Sequence, residues 1–141
     1  MVDVAPVQLE NLKKKLGGDT PQITLYHQDA THLQFADASY DRVLLFFLLH
    51  EQPEEVRAQT IAQAMRVVKP GGKVVFVDYH RPTRINPFRY IMVPILTTLE
   101  PFAMDLWRKE IVEWLPEWVH PTAVHKETYF GGLYQKVVIT L

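Results

Sequence analysis

Residues 41–78, DRVLLFFLLHEQPEEVRAQTIAQAMRVVKPGGKVVFVD, decide the fold. The first nine are a nearly continuous apolar run, the pattern of a strand covered on both faces by helices. Periodicity alone fits a buried helix equally well, so the flanks arbitrate. Pro53 begins a helix, and Glu54 and Glu55 complement the positive end of its dipole. Ile61, Ala64, Met65 and Val68 fall on one face of that helix, KPGG at 69–72 turns the chain, and KVVFVD at 73–78 is a second doubly buried strand. Strand, helix and strand in this order predict an α/β fold with a parallel sheet and right-handed crossovers.

The alternation extends upstream. MVDVA is a short strand running into Pro6; Val7, Leu9, Leu12 and Leu16 then make a loose helical stripe, ended by Lys13 to Lys15 and by Gly17-Gly18. QITLYHQ at 22–28 reads as the next strand. Beyond residue 86 the pattern changes. Prolines at 87, 94 and 101 start or kink helical pieces, and Met104, Trp107, Ile111 and Trp114 recur at helical spacing, so residues 86–118 are expected to form a helical lid insertion. TAVHKETYF, a turn at Gly131-Gly132 and LYQKVVITL predict an antiparallel hairpin that closes one sheet edge.

Composition narrows the functions. With 141 residues and 48% hydrophobic content, one core and one domain over 1–141 are expected. Fifteen basic side chains against 16 acidic ones argue against nucleic acid, whose binding rests largely on phosphate neutralisation. There are no cysteines, hence no disulfide, zinc knuckle or thiol nucleophile. The opening MVDVAPVQLE has no basic segment followed by an apolar one, and no apolar run reaches ~18 residues, so neither a secretory signal nor a membrane span is expected. A cytoplasmic location follows as the expectation.

Four blocks in order, VDVAPVQL, HQDATHLQFADASYDRV, LLHEQP and RVVKPGGKVVFVD, resemble the class I S-adenosylmethionine-dependent methyltransferases, and within them the quinone-ring methyltransferases of ubiquinone and menaquinone synthesis. The tail, MDLWRKEIVEWLP and KETYFGGLYQKVV, is similar to the rhodoquinone-biosynthesis branch. The resemblance implies a Rossmann-like sheet, S-adenosylmethionine as cofactor and a lipophilic quinone-like substrate. It implies that Asp3 receives the ribose hydroxyls and that Asp29 and Ala30 hold the adenine, a carboxylate accepting from the exocyclic amine beside a donating backbone N–H. The rhodoquinone branch implies amino transfer to ubiquinone and a divalent metal ion. One element departs from the family. Its glycine-rich loop and first strand, expected upstream of Asp3, are absent. The chain therefore reads as N-terminally truncated, with weak or no cofactor binding and with the strand at Asp3 pairing directly with the strand at 41–49.

Other candidates come from position. Phe46 and Phe47 stand near a strand's carboxyl end, where parallel sheets place ligands; one is expected to pack inward and the other to border the cofactor. His50 is the candidate base for deprotonating a phenol or carbon acid, against an equal reading as a structural histidine gripping the next helix. Asp41 reads as a structural acid and His80 as a surface turn residue. His50, Glu51, Asp78 and His80 are metal-ligating types after adjacent strands, yet no recognised spacing supports them, so no metal site is assigned. Trp107, Trp114 and Trp118 read as lid packing, with a quinone pocket or peripheral contact at the inner membrane face as the functional alternative. A non-catalytic regulatory subunit and a dehydrogenase-like nucleotide domain are the competing classes.

Overall fold

The computed structural model describes residues 1–17, 22–99 and 101–141, so Gly18 of the expected helix stop lies outside the described residues. At its centre are β3 (Tyr40–Phe46), α2 (Glu54–Val67) and β4 (Val68–Tyr79), the predicted strand, helix and strand. β3 and β4 are parallel, with Val43 opposite Val74, Leu45 opposite Phe76 and Phe46 opposite Val77. Pro53 stands at the N-cap of α2, with Glu54 and Glu55 in the first turn and Arg66 in the last, as the helix dipole favours. α2 lays Ile61, Ala64 and Met65 onto Leu45, Val74 and Phe76, which form the heart of the core.

KPGG does not leave the strand. It is a bulge within β4, where the register skips from Tyr40 opposite Val68 to Arg42 opposite Lys73. A Cβ on Gly72 would stand 2.8 Å from the Asp41 carbonyl oxygen and 2.7 Å from Val68 Cγ1, which is why the bulge needs glycine there.

The hairpin forms as expected from β5 (Ala123–Tyr129) and β6 (Tyr134–Thr140), and the sheet order is β3-β4-β6-β5, with β6 antiparallel to both neighbours. Glu127 faces Lys136 across this pair at 2.6 Å. The Lys136 ammonium, then the Tyr129 hydroxyl and His125, hold the Glu127 carboxyl down at about 2.

Two further expectations are corrected. First, β1 (Val2–Asp3) does not pair with β3; it pairs in parallel with β2 (Tyr26–His27) in a separate two-stranded sheet joined by α1 (Pro6–Lys15). Phe35 stands edge-on between Tyr26 at 5.0 Å and Tyr40 at 5.2 Å and spaces the small sheet from the large one. Second, β3 is covered on one face only, and Leu44 and Phe46 are 60% and 63% exposed. The reason is that α1, which has no buried residue, packs with the small sheet and leaves the second face of β3 open.

Residues 86–118 form helical pieces. α3 (Phe88–Leu99) is followed by short 3-10 helices at Pro101–Trp107 and Ile111–Trp114. The single stripe breaks because Glu110 and Glu113 form a reciprocal capping box that starts a new helix. Leu106, Ile111 and Trp114 then belong to the same core as Ile61 and Phe76, whereas Trp118 is exposed.

Replacing Gly72 with Ala is expected to lower the unfolding free energy by about 1–3 kcal/mol through overpacking. Urea denaturation of the two chains checks this.

Candidate active site

β3 ends at Phe46, and Phe47 takes φ of 49°, a left-handed backbone costly for a bulky residue. Its N–H still donates to the Val77 carbonyl at 2.8 Å, so the chain pivots without leaving β4 and enters the 3-10 turn Leu49–Glu51. That turn carries His50 over the carboxyl end of β4, where Asp78 waits.

The two side chains meet in the interior, 5% and 1% exposed. His50 Nδ1 lies 2.8 Å from Asp78 Oδ1. Asp78 Oδ1 also accepts from the Tyr79 N–H and Oδ2 from the Leu49 N–H, both at 2.8 Å. A carboxylate is acceptor-only, so the Nδ1 nitrogen carries the hydrogen and Nε2 is the basic nitrogen of the neutral ring. Glu51 Oε1 stands 3.8 Å from Nε2. The pair is thus a histidine held in one tautomer by a fully solvated-by-protein acid, the arrangement that prepares an imidazole to take a proton.

Arg57 fastens this turn from beneath. It is completely buried, and its Nε donates to the Leu49 carbonyl at 3.0 Å while Nη2 donates to the Gln52 and Phe102 carbonyls, each at 2.9 Å. Its guanidinium carbon sits 4.7 Å from the centre of the Trp114 ring, and Nη1 lies 3.6 Å from Asp105. Burial draws the guanidinium pKa down, and Asp105, then Asp78, oppose it. Carbonyls on both sides of His50–Glu51 are therefore gripped by one side chain.

Beside the imidazole stands a wall of rings. Tyr79 is 4.6 Å from His50, Phe47 is 5.7 Å from Tyr79 and 5.4 Å from Tyr134, and Tyr79 and Tyr134 are stacked at 5.8 Å. Phe46, expected as a cofactor border with Phe47, is exposed and meets Phe47 edge-on at 4.9 Å. Phe47 is the inward member of the pair.

The remaining candidates gather around the small sheet. β1 and β2 are parallel and in register, so Asp3 and the segment after His27 emerge from the same sheet end. Asp3 Oδ1 accepts from the Ala5 N–H at 2.8 Å. Asp29 Oδ1 accepts from both the N–H and the hydroxyl of Thr31, which holds its carboxyl below the usual range and makes the turn that presents Ala30. Neither acid is brought together with His50. The metal-type quartet is also split: Asp78 is engaged by three donors, while His80 lies 3.0 Å from the Gly132 carbonyl oxygen and 3.1 Å from Lys126 Nζ. Burial, with Lys126 adding to it, holds the His80 pKa down. Among the described residues no group of three or more His, Asp or Glu converges as a metal site. A cleft of about 700 Å³ is lined by Asp37, Arg66 and Trp118 at the amino ends of β3 and β4, opposite the end where parallel sheets bind ligands.

A parallel β3–α2–β4 unit with an antiparallel hairpin at its edge and polar side chains at the strands' carboxyl ends defines a Rossmann-like α/β protein. The sequence profile described as a methyltransferase domain matches residues 1–72, just over half of the chain, and the chain belongs to this family. A demethylmenaquinone methyltransferase from Renibacterium salmoninarum is 41% identical over 76 residues, 54% of this chain and 31% of that protein. One from Bacillus cereus is 32% identical over 119 residues, 83% of this chain and 46% of that protein. The chain thus spans less than half the length of these curated relatives. Among solved structures, a possible exported protein from Bordetella parapertussis superposes with a TM-score of 0.73 at 20% identity, over 99% of this chain and 51% of that one. An arsenic (III) S-adenosylmethionine methyltransferase from Chlamydomonas reinhardtii superposes with 0.62 at 21% identity, over 99% and 53%.

S-adenosylmethionine is the donor that the family implies, and the residues present fit its adenosine half. Asp3 and the Asp29 turn share one sheet end, and the Ala30 N–H has no partner among the described residues.

Sequence reasoning grouped His50 and Asp78 as metal-ligating types after adjacent strands but missed that they form a hydrogen-bonded pair, and it missed Arg57 altogether. The signal for Arg57 was a charged residue on the helix face that carries Ile61, Ala64 and Met65. Arg57→Leu is expected to destabilise the chain by about 3 kcal/mol or more, because three buried carbonyls lose their donor; urea denaturation measures it. In nitrogen NMR, His50 Nδ1 is expected to be protonated and Nε2 pyridine-like, and Asp78→Asn is expected to shift that balance while His80 is unchanged.

Proposed function

We propose that this protein transfers the methyl group of S-adenosylmethionine to a small, lipophilic, quinone-type ring, with His50 as the base. The observation that carries the proposal is the buried His50–Asp78 pair at the carboxyl ends of β3 and β4, beside a wall of aromatic faces. The names of the curated relatives support the quinone class.

When bound, S-adenosylmethionine supplies a methyl group already activated on a sulfonium. Asp3 would receive the ribose hydroxyls, and Asp29 with the Ala30 N–H would hold the adenine edge. Phe47, Tyr79 and Tyr134 offer flat apolar faces against which a ring stacks and from which water is excluded. Asp78 keeps the His50 Nδ1 protonated, and Nε2 takes the proton from the acceptor hydroxyl or carbon acid as charge leaves it. Alignment, more than covalent help from the protein, is what the site contributes.

A second reading, amino rather than methyl transfer to ubiquinone, is favoured by the similarity of the tail segments MDLWRKEIVEWLP and KETYFGGLYQKVV to the rhodoquinone branch. Mass spectrometry of the product ring separates the two, since one gains a methyl carbon and the other a nitrogen.

Two measurements test the proposal. Titration of the labelled chain with S-adenosylhomocysteine is expected to shift the NMR signals of Asp3, Asp29 and Ala30, and shifts confined to other regions would remove the cofactor assignment. Release of S-adenosylhomocysteine in the presence of a demethylmenaquinone analogue is expected to fall about 10²- to 10⁴-fold in His50→Ala, with cofactor affinity nearly unchanged. Undiminished turnover in that variant would sink the role of His50.

A further inference from the structure

The helix that follows the active-site strand is amphipathic the wrong way round. On α3, Phe88, Ile91 and Ile95 recur at i, i+3 and i+7 with Tyr90 beside them, and this face is exposed; Tyr90 is 73% and Ile91 57% accessible. The covered side holds Arg89, Met92 and Val93. Ile85, just before the helix, is 93% exposed. A helix resting on a water-facing protein surface turns charge outward, and here the outward face carries none. The contiguous apolar surface therefore calls for an apolar occupant.

Charge identifies the occupant. From Tyr79 to Leu99 there is no acidic residue, and there are three arginines, Arg81, Arg84 and Arg89. All three line a cleft of about 380 Å³ at the root of α3, together with Trp107, whose buried Nε1 has no hydrogen-bond partner. None of the three is in an ion pair among the described residues; Glu110, on the same cleft, is engaged by Lys126. Exposed apolar side chains ringed by unneutralised arginines match an interface with apolar tails below and phosphates above.

We propose that the segment from Arg81 to Ile95 docks this protein on an anionic phospholipid surface, with Ile85, Phe88, Ile91 and Ile95 entering the acyl boundary and the arginine cleft taking lipid phosphate. No helix among the described residues is long and apolar enough to cross a membrane, so the contact is one of lying on the bilayer. Trp114, one of the three tryptophans whose alternative reading was a peripheral contact, is buried over Arg57 and lies outside this surface. The docking segment begins at the end of β4, two residues after Tyr79, so the aromatic wall stands next to the lipid. The proposal rests on the surface alone and stands apart from the chemistry assigned to His50.

Sedimentation of the full chain with vesicles of phosphatidylcholine, with and without phosphatidylglycerol, tests it. Binding is expected only with phosphatidylglycerol and is expected to weaken as salt rises. Arg81→Gln and Arg84→Gln should each lower partitioning about fivefold, and Ile91→Glu with Ile95→Glu should abolish it while circular dichroism is unchanged. No sedimentation with anionic vesicles, or undiminished binding by the Ile91→Glu, Ile95→Glu chain, would overturn the proposal. So would a dimer in light scattering that the same two substitutions dissolve, since the face would then belong to a second copy.

Discussion

The Asp78 carboxylate is the point on which the active end of this molecule depends. A buried acid is tolerated only when its lone pairs are satisfied, and Asp78 receives the Leu49 and Tyr79 N–H groups and the His50 ring. Those three donors come from two strand ends, so satisfying one carboxylate joins β4 to the turn that follows β3. The same bonds that make the acid affordable in the interior orient the imidazole. Structural and chemical demands thus coincide in one side chain.

Around that carboxylate the chain is held unevenly. On one face of the large sheet, α2 and the 3-10 helices at Pro101–Trp107 and Ile111–Trp114 close a continuous core, with Arg57 tying Leu49, Gln52 and Phe102 into it. On the other face and at the free edge of β3, Leu44 and Phe46 are bare. Asp3 ends β1, and Asp29 and Ala30 follow β2 of the small sheet, which meets the large one through Phe35 between Tyr26 and Tyr40. The His50–Asp78 pair and the Asp3–Asp29 end are therefore carried by two sheets that meet at a cluster of aromatic rings.

The strand–helix–strand order at 41–78 was legible because periodicity, Pro53 and the first-turn glutamates are local signals that act through the backbone. The hairpin at 123–140 was legible for the same reason, its two runs being separated by a glycine turn. Asp29 shows how a local rule can compete with a functional one: its carboxylate caps Thr31, a bond that any Asp-x-Thr turn can make. Met104 and Trp107, and Ile111 and Trp114, lie in two successive 3-10 helices, the second started by the Glu110–Glu113 capping box, a boundary set by a local reciprocal bond that the apolar spacing does not mark.

What the sequence determined by itself was the class of fold and the residue types at each strand end, since spacing and turn chemistry depend on neighbours a few positions away. Only the tertiary structure decided that His50 and Asp78, 28 positions apart, are one unit. It likewise decided that Arg57 is a buried clamp, that β1 pairs with β2 alone, and that α3 turns its apolar side to solvent. These outcomes hinge on burial and long-range pairing. Both are properties of where a side chain ends up against distant segments, and no local pattern encodes that.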